Sequence, residues 1–327
     1  MAGYVLQRLL LVIPTVFVIS IITFVIIQLP PGDFLTSYIA TLESGGQVVD
    51  QAQIDALRAQ YGLGEPVYVQ YWKWVVGVLS GDFGHSFQWK RPVVDLIGER
   101  MALTIALSVA SLLLVWAISL PIGIYSAVRQ YSPGDYFFTF ISFVGLGVPN
   151  FLFALVLMWW AYSQFGMSVG GLFSPQYADA PWSLAKVLDF LSHLWIPAAV
   201  LAIGGIAGLI RIMRANLLDE LPKLYVTTAR AKGMGETSLV LKYPVRVALN
   251  PFVSTIGWTL PGLVSGSIIV SVVLNLPTTG PMLLTALQSQ DMYLAGAILL
   301  MLSILTVIGT LISDVLLAWL DPRIRFN

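Results

Sequence analysis

LPKLYVTTARAKGMGETSLVLKYPVRVALNP, residues 221–251, is a polar, basic stretch set between strongly apolar ones. Residues 225–232 predict a helix, and Ala229 and Ala231 within it are small enough for close docking. Gly233 and Gly235 follow. Glycine accepts the positive φ that lets a helix stop and reverse without strain. Helix resumes over 237–243, carrying Lys242. Pro244 then forces a kink or break before Arg246, and Pro251 opens the next apolar run. The product is a short basic helix lying across one face of a membrane and joined at both ends to spans. Pushing or tilting it would move those spans like a lever. A merely interfacial amphipathic helix explains the same charges and stays open on composition alone.

The rest of the chain is apolar enough for that setting. Of 327 residues, 57% are hydrophobic and only 10% charged, whereas soluble domains carry about 25% charged residues. A net charge of zero argues against a broadly basic nucleic-acid binder. The absence of cysteine removes disulfides, thiolate metal sites and thiol nucleophiles. Two histidines, His85 and His193, are too few for a multi-histidine metal centre and read as surface or interface residues of the outer face. No GxxxxGK[ST] loop is present, so nucleotide-driven work needs another subunit.

A helix crossing ~30 Å of hydrocarbon needs about 20 apolar residues. Six segments meet that requirement: 9–29, 101–127, 136–162, 193–213, 252–275 and 293–320. The first follows Arg8, but its apolar run is long for a signal peptide and PPGD follows in place of a small-residue cleavage site, so a retained helix is expected. Placing the N-terminus inside puts Arg8, Arg129, the arginines and lysines of 211–246, and Arg323 and Arg325 on the inner side. The short-loop bias of Lys and Arg then makes both termini cytoplasmic. Trp159, Trp160 and Trp195 fall near outer helix ends and Trp319 near an inner one.

Between the first two spans, residues 31–98 predict a small folded external cap, with an ordinary surface loop as the alternative. Asp50 and Gln53 open one helix through Tyr61, ended by Gly62 or Gly64. VYVQYWKWVVGVL after Pro66 forms a second, stopped by Gly81. The chain therefore divides into an N-terminal transmembrane helix (1–30), an extracytoplasmic segment (31–98), a core transmembrane domain (99–320, with the cytoplasmic loop at 215–251) and a cytoplasmic tail (321–327).

Polar groups at membrane depth are sparse. Asp314 is expected to pack beside the cytoplasmic loops or pair with Arg211 or Arg214 in preference to relaying protons. Pro149 and Asn150 in GLGVPNF, and Pro261 and Gly262 in TLPGLVSG, mark places where helices break; plain small-residue packing, as in GGIAG at 204–208, is the alternative. Asn150, Ser267, Ser271 and Asn275 are candidates for the polar lining of a route. An intramembrane enzyme would need a Ser–His pair, paired aspartates or a metal cluster at depth, and none is legible. No catalytic residue is assigned.

The segment YVTTARAKGMGETSLVLKYPVRVALNP resembles the EAA loop of ATP-binding-cassette (ABC) importer permeases, in the version of the dipeptide/oligopeptide family (first-permease type). That family's pattern, YVRTARAKGL with an RNALIP-like end, is matched at Tyr225, Val226, Thr228, Ala229, Arg230, Ala231, Lys232 and Gly233, then at Arg246, Ala248, Leu249 and Pro251. The opening through Pro31, Gly32 and Asp33, the YGLGEPVYVQYWKW and GDFGHSF segments, and the LDPRIRFN ending are similar to the family too. LNLPTTGPMLLTALQSQD keeps its LPxxG and later aspartate as Leu276, Pro277, Gly280 and Asp291. Two positions depart: Thr227 replaces the acidic residue that names the motif, and Ser271 stands where many relatives have glutamate.

The resemblance implies an all-α, six-helix inner-membrane permease of the type I importer fold. It also implies a coupling helix made by Tyr225, Thr227 to Gly233 and Gly235, both termini in the cytoplasm, and no cofactor on this chain. A second permease, two cytoplasmic ATPases carrying ATP and Mg, and an external solute-binding protein would complete the machine. Di- and oligopeptides are the implied cargo, with oligosaccharides, opines or nickel as alternatives.

Overall fold

The computed structural model describes residues 2–28, 65–166, 169–255, 262 and 267–320. Among these, every regular element is a helix: α1 (Ala2–Gln28), α2 (Val67–Leu79), α3 (Val93–Val128), α4 (Pro133–Gly147), α5 (Asn150–Phe165), α6 (Leu184–Glu220), α7 (Leu224–Ala231), α8 (Glu236–Lys242), α9 (Pro244–Ser254), α10 (Thr279–Gln288) and α11 (Met292–Leu320). Three stretches, Val93–Val128, Leu184–Glu220 and Met292–Ala318, are long and apolar enough to cross a membrane. A fourth is reached if α4 and α5 count as one span, bent by 102°. The span expected at 136–162 is broken where Pro149 and Asn150 mark it. Pro149 forces the residue before it out of the α region, and Val148 is accordingly extended at φ −102°, ψ 126°. The expected span at 252–275 runs through residues outside the described set, as does the helix expected at 50–61.

The chain divides into two compact units. One comprises Gln7–Leu103 and Thr278–Leu305. In it α2 lies where Pro66 and Gly81 placed it, with Gly81 at φ +81° just past its end. Trp74 packs with Phe24 and Leu300, and Tyr71 closes on Phe24 edge-on at 5.4 Å between ring centres. The Tyr71 hydroxyl shares a 2.9 Å hydrogen bond with Ser20. GDFGHSF is explained locally. Gly84 sits at φ +79° against the Tyr293 ring, where a Cβ would lie 2.7 Å from a ring carbon. Ser86 and the backbone of Gln88 then reach the buried carboxylate of Asp291.

The other unit contains Thr104–Pro277. Its organising rod is α6, 37 residues long, capped by Ser183, whose hydroxyl accepts from the Lys186 amide. Helices α4, α5 and α9 pack on α6. The core joins Leu209, Met213 and Leu217 of α6 to Val226 and Ala229 of α7, Leu239 and Val240 of α8, and Ala248 and Phe252 of α9. In the first turn of α6, the Lys186 ammonium is buried. It donates to the Ala178 and Ala180 carbonyls and sits over the Phe173 and Trp182 rings, so a cation is satisfied without a carboxylate.

Candidate functional site

The insert at 221–251 folds as its sequence predicts, one residue earlier in each helix. α7 ends in a Schellman arrangement: the Met234 amide donates to the Ala229 carbonyl and the Gly233 amide to the Arg230 carbonyl. Gly233 holds the left-handed position at φ +81°. Gly235 precedes α8, and Pro244 occupies the first turn of α9, where a missing N–H costs no hydrogen bond.

α7 has two unlike faces. Val226 and Ala229 are buried against the core. Leu224, Thr227, Thr228 and Ala231, at the i, i+3, i+4, i+7 spacing of one helical stripe, are exposed, Leu224 to 85%. The Thr228 hydroxyl is satisfied by the Leu224 carbonyl at 2.8 Å, and the stripe carries no charge. Arg230, Lys232 and the two glycines border it, all exposed.

The entry to α7 is pinned from α6. Glu220, buried at the end of that helix, accepts from the Tyr225 hydroxyl at 2.6 Å and from Lys223. Burial pushes the Tyr225 phenol above its ordinary value, and the Glu220 carboxylate pushes it the same way. The reversal is bridged by Arg230 and Glu236 through two hydrogen bonds, with both side chains about half exposed. The Arg230 guanidinium holds the Glu236 carboxyl below its usual range. Exposed pairs of this kind contribute little, whereas burying a valine or leucine side chain away from water contributes about 1.5–3 kcal/mol. Packing of Val226, Leu239 and Val240 is therefore what holds the insert. Glu236→Ala is expected to leave the melting temperature of the purified protein nearly unchanged at moderate salt, and a large drop would show that the pair holds the turn.

The candidates for a polar route are scattered in role. Ser267 and Ser271 are buried one helical turn apart, and the Ser271 hydroxyl has no hydrogen-bond partner among the described residues. Asn150 is half-buried and donates to the Leu201 carbonyl of α6 at 3.4 Å, which is a packing contact. Asn275 is exposed at φ +51°, just past the helical turns at 267–273, and the Leu276 amide behind it bonds the Ser271 carbonyl. Asparagine is the common alternative to glycine at such a helix end.

Sequence reasoning missed Asp135. It lies in the first turn of α4 with its side chain almost fully buried, and Arg214 reaches it with Nε and a terminal nitrogen at 2.9 and 2.8 Å. Arg214 is one of the two arginines that the sequence offers Asp314 as a partner, packing beside the cytoplasmic loops being the other expectation for that carboxylate. The SPGD sequence at 132–135, a helix-start signature, was the available signal for Asp135. Arg211, the other expected partner, lies with its guanidinium over the Phe143 ring at 5.6 Å. Among the described residues no group of three or more His, Asp or Glu side chains is placed to hold a metal ion.

Comparison with known proteins agrees with this architecture. Residues 119–326 match the binding-protein-dependent transport system inner membrane component, and residues 1–108 match the N-terminal part of such membrane components. The chain is 37% identical to the oligopeptide transport system permease protein AppB of Bacillus subtilis, over the full length of both. It is 36% identical to a putative peptide permease protein of Brucella ovis, over 99% of each chain. It is 33% identical to the glutathione transport system permease protein GsiC of Escherichia coli, again over the full length of both. With matches covering both its N-terminal and its main part, and relatives aligned from end to end, this chain belongs to the family of binding-protein-dependent transport system inner-membrane components.

Proposed function

We propose that this chain is a permease subunit of an ATP-driven importer of di- and oligopeptides, worked by cytoplasmic ATPases through α7. One observation carries the coupling role. The exposed stripe of α7 is uncharged, while its buried face and its Glu220 pin tie it to α6. A groove on an ATPase can close on such a helix, and any displacement of it is delivered to the spans. Cargo follows from the relatives, whose names specify oligopeptides, peptides and glutathione.

In this reading six helices cross the bacterial inner membrane with both termini cytoplasmic, residues 31–98 are external, and residues 215–251 face the cytoplasm. A second, similar permease completes the pathway, and a solute-binding protein delivers cargo from outside. ATP and Mg are bound by the partner ATPases. Closure of the ATPase pair draws the two coupling helices together and rocks the permeases from inward- to outward-open. Hydrolysis then resets them. Coupling requires the docked states to differ in contacts, since a ligand shifts an equilibrium only by its differential affinity.

The test is to tag this chain at its native locus, extract it in mild detergent and identify the co-purifying proteins. Recovery of ATPases with nucleotide-binding motifs and of a sister permease is expected. Recovery of this chain alone, with crosslinking as well, would overturn the reading.

A further inference from the structure

We propose that the Asp135–Arg214 ion pair is the joint through which α6 carries the bent pair α4–α5, making both residues positioning residues for transport. The proposal rests on α7 being the element that the ATPase moves.

The geometry is that of a fastening. Arg214 grips both oxygens of Asp135, whose side chain is 3% exposed against 26% for the arginine. The same carboxylate accepts the Tyr131 amide at 2.9 Å, and Tyr131 sits at φ +61°. Ser132 caps α4 by accepting from the Asp135 amide at 3.2 Å. One carboxylate thus closes the α3–α4 turn and ties it to α6. Further contacts run along α6, Arg211 over the Phe143 ring among them. Gly145 lies against Ile203 and Ala207, where a Cβ would stand 3.2 and 3.3 Å from their side chains, and Asn150 donates to Leu201. Those contacts can slide or lengthen. The ion pair cannot, because separating its partners would leave a charge buried and uncompensated.

Force enters nearby. Glu220, which holds Tyr225 and Lys223 at the entry to α7, lies on α6 six residues beyond Arg214. At about 1.5 Å per residue the two points are some 9 Å apart on one rigid helix. A displacement of α7 is therefore handed to α6 at Glu220 and passed to α4 at Asp135. The bend at Pro149 lets α5 change direction while its start stays held.

The chain lacks cysteine, so it can be spin-labelled at introduced cysteines, before assembly with its partners, with no native thiol of its own to remove. Phe140 on α4 and Ala215 on α6 are both exposed and suit Phe140→Cys and Ala215→Cys. The complex purified through the tagged chain is reconstituted in nanodiscs, and the label separation is measured without nucleotide and with ATP and vanadate. With Asp135 and Arg214 intact, the separation should stay constant between the two states. In Asp135→Asn, which keeps the shape but removes the charge, it should shift by about 2 Å or more, the scale of helix shifts in switching. Arg214→Lys keeps the charge without the two-pronged grip, so a smaller shift is expected; it carries the test where Asp135→Asn does not assemble.

Uptake of trialanine by cells carrying Asp135→Asn should fall about tenfold relative to ATP hydrolysed, equivalent to about 1.4 kcal/mol of coupling. A constant separation in Asp135→Asn would overturn the proposal, as would a changing separation in the intact pair. A parallel loss of uptake and hydrolysis would reduce the pair to a static staple and also overturn it. Failure of the underlying reading shows elsewhere: normal uptake in Gly233→Asp would remove the coupling role of α7 whatever the labels report.

Discussion

Gly233→Asp should insert and accumulate at normal levels yet lose most substrate uptake. Gly233 holds φ +81°, and nothing lies within 4 Å of where a Cβ would stand. The substitution therefore meets no clash. Its penalty is conformational, about 1 kcal/mol for an L-residue in the left-handed region, and aspartate is among the residues that tolerate it best. That is too little to unfold an insert held by Val226, Leu239 and Val240. What changes is the surface, since a carboxylate now stands on the rim of the exposed stripe next to Lys232, where a partner has to seat. Uptake of trialanine by cells is expected to fall about tenfold or more, equivalent to at least about 1.4 kcal/mol of lost coupling, while ATP hydrolysis by the purified complex continues. Gly233→Ala carries the backbone penalty without the charge and should lose much less. Normal uptake in the aspartate variant, at normal membrane levels, would rule out α7 as the coupling element.

The reversal at Gly233 was legible because it is local. A run of helix formers, two glycines and a proline at fixed offsets describe a helix, a left-handed stop and a restart, and the backbone follows them. The same holds for α2, bracketed by Pro66 and Gly81. Pro149 marked where a span breaks, but not by how much. The 102° bend between α4 and α5 is accompanied by long-range contacts to α6 that no local pattern announces. Asp135 and Arg214 are 79 residues apart. Their chain neighbours say that one starts a helix and the other lies on a long apolar one, and nothing there names a partner. Asn275 carries two physical readings: an asparagine in an apolar setting reads as a polar lining group, and the same side chain is favoured where a helix ends in the left-handed region, as it does here. Which way a hydroxyl or amide points depends on packing that the sequence does not display, so the route candidates could be named but not brought together.

Asp291→Ala should produce the largest loss of stability in the unit that contains it. The carboxylate is fully buried and accepts from the Ser86 hydroxyl at 2.5 Å, the Gln88 amide at 3.1 Å and the Leu294 amide at 3.2 Å. It joins the GDFGHSF loop to the start of α11 across more than 200 residues of sequence. Deleting the acceptor leaves three donors short of a partner. At about 1–3 kcal/mol for each unsatisfied buried group the cost is about 3 kcal/mol or more. It should appear as a sharply lower melting temperature and poor yield.

The charge on Asp291 adds a pH dependence of definite sign. Burial pushes its carboxyl above the ordinary value, with the bonds from Ser86 and the backbone amides opposing that rise only in part. A carboxyl raised in the folded state stabilises the fold once it is protonated. That contribution is complete below the unfolded value and disappears as pH rises through the folded one. The protein should therefore gain melting temperature from this group as pH falls through the raised folded value toward the ordinary carboxylate range. Asp291→Asn, close in size but unable to titrate, should lack that gain. Melting curves of the purified complex across this range would thus show the difference between native and Asn proteins changing with pH, and a constant difference would refute the assignment.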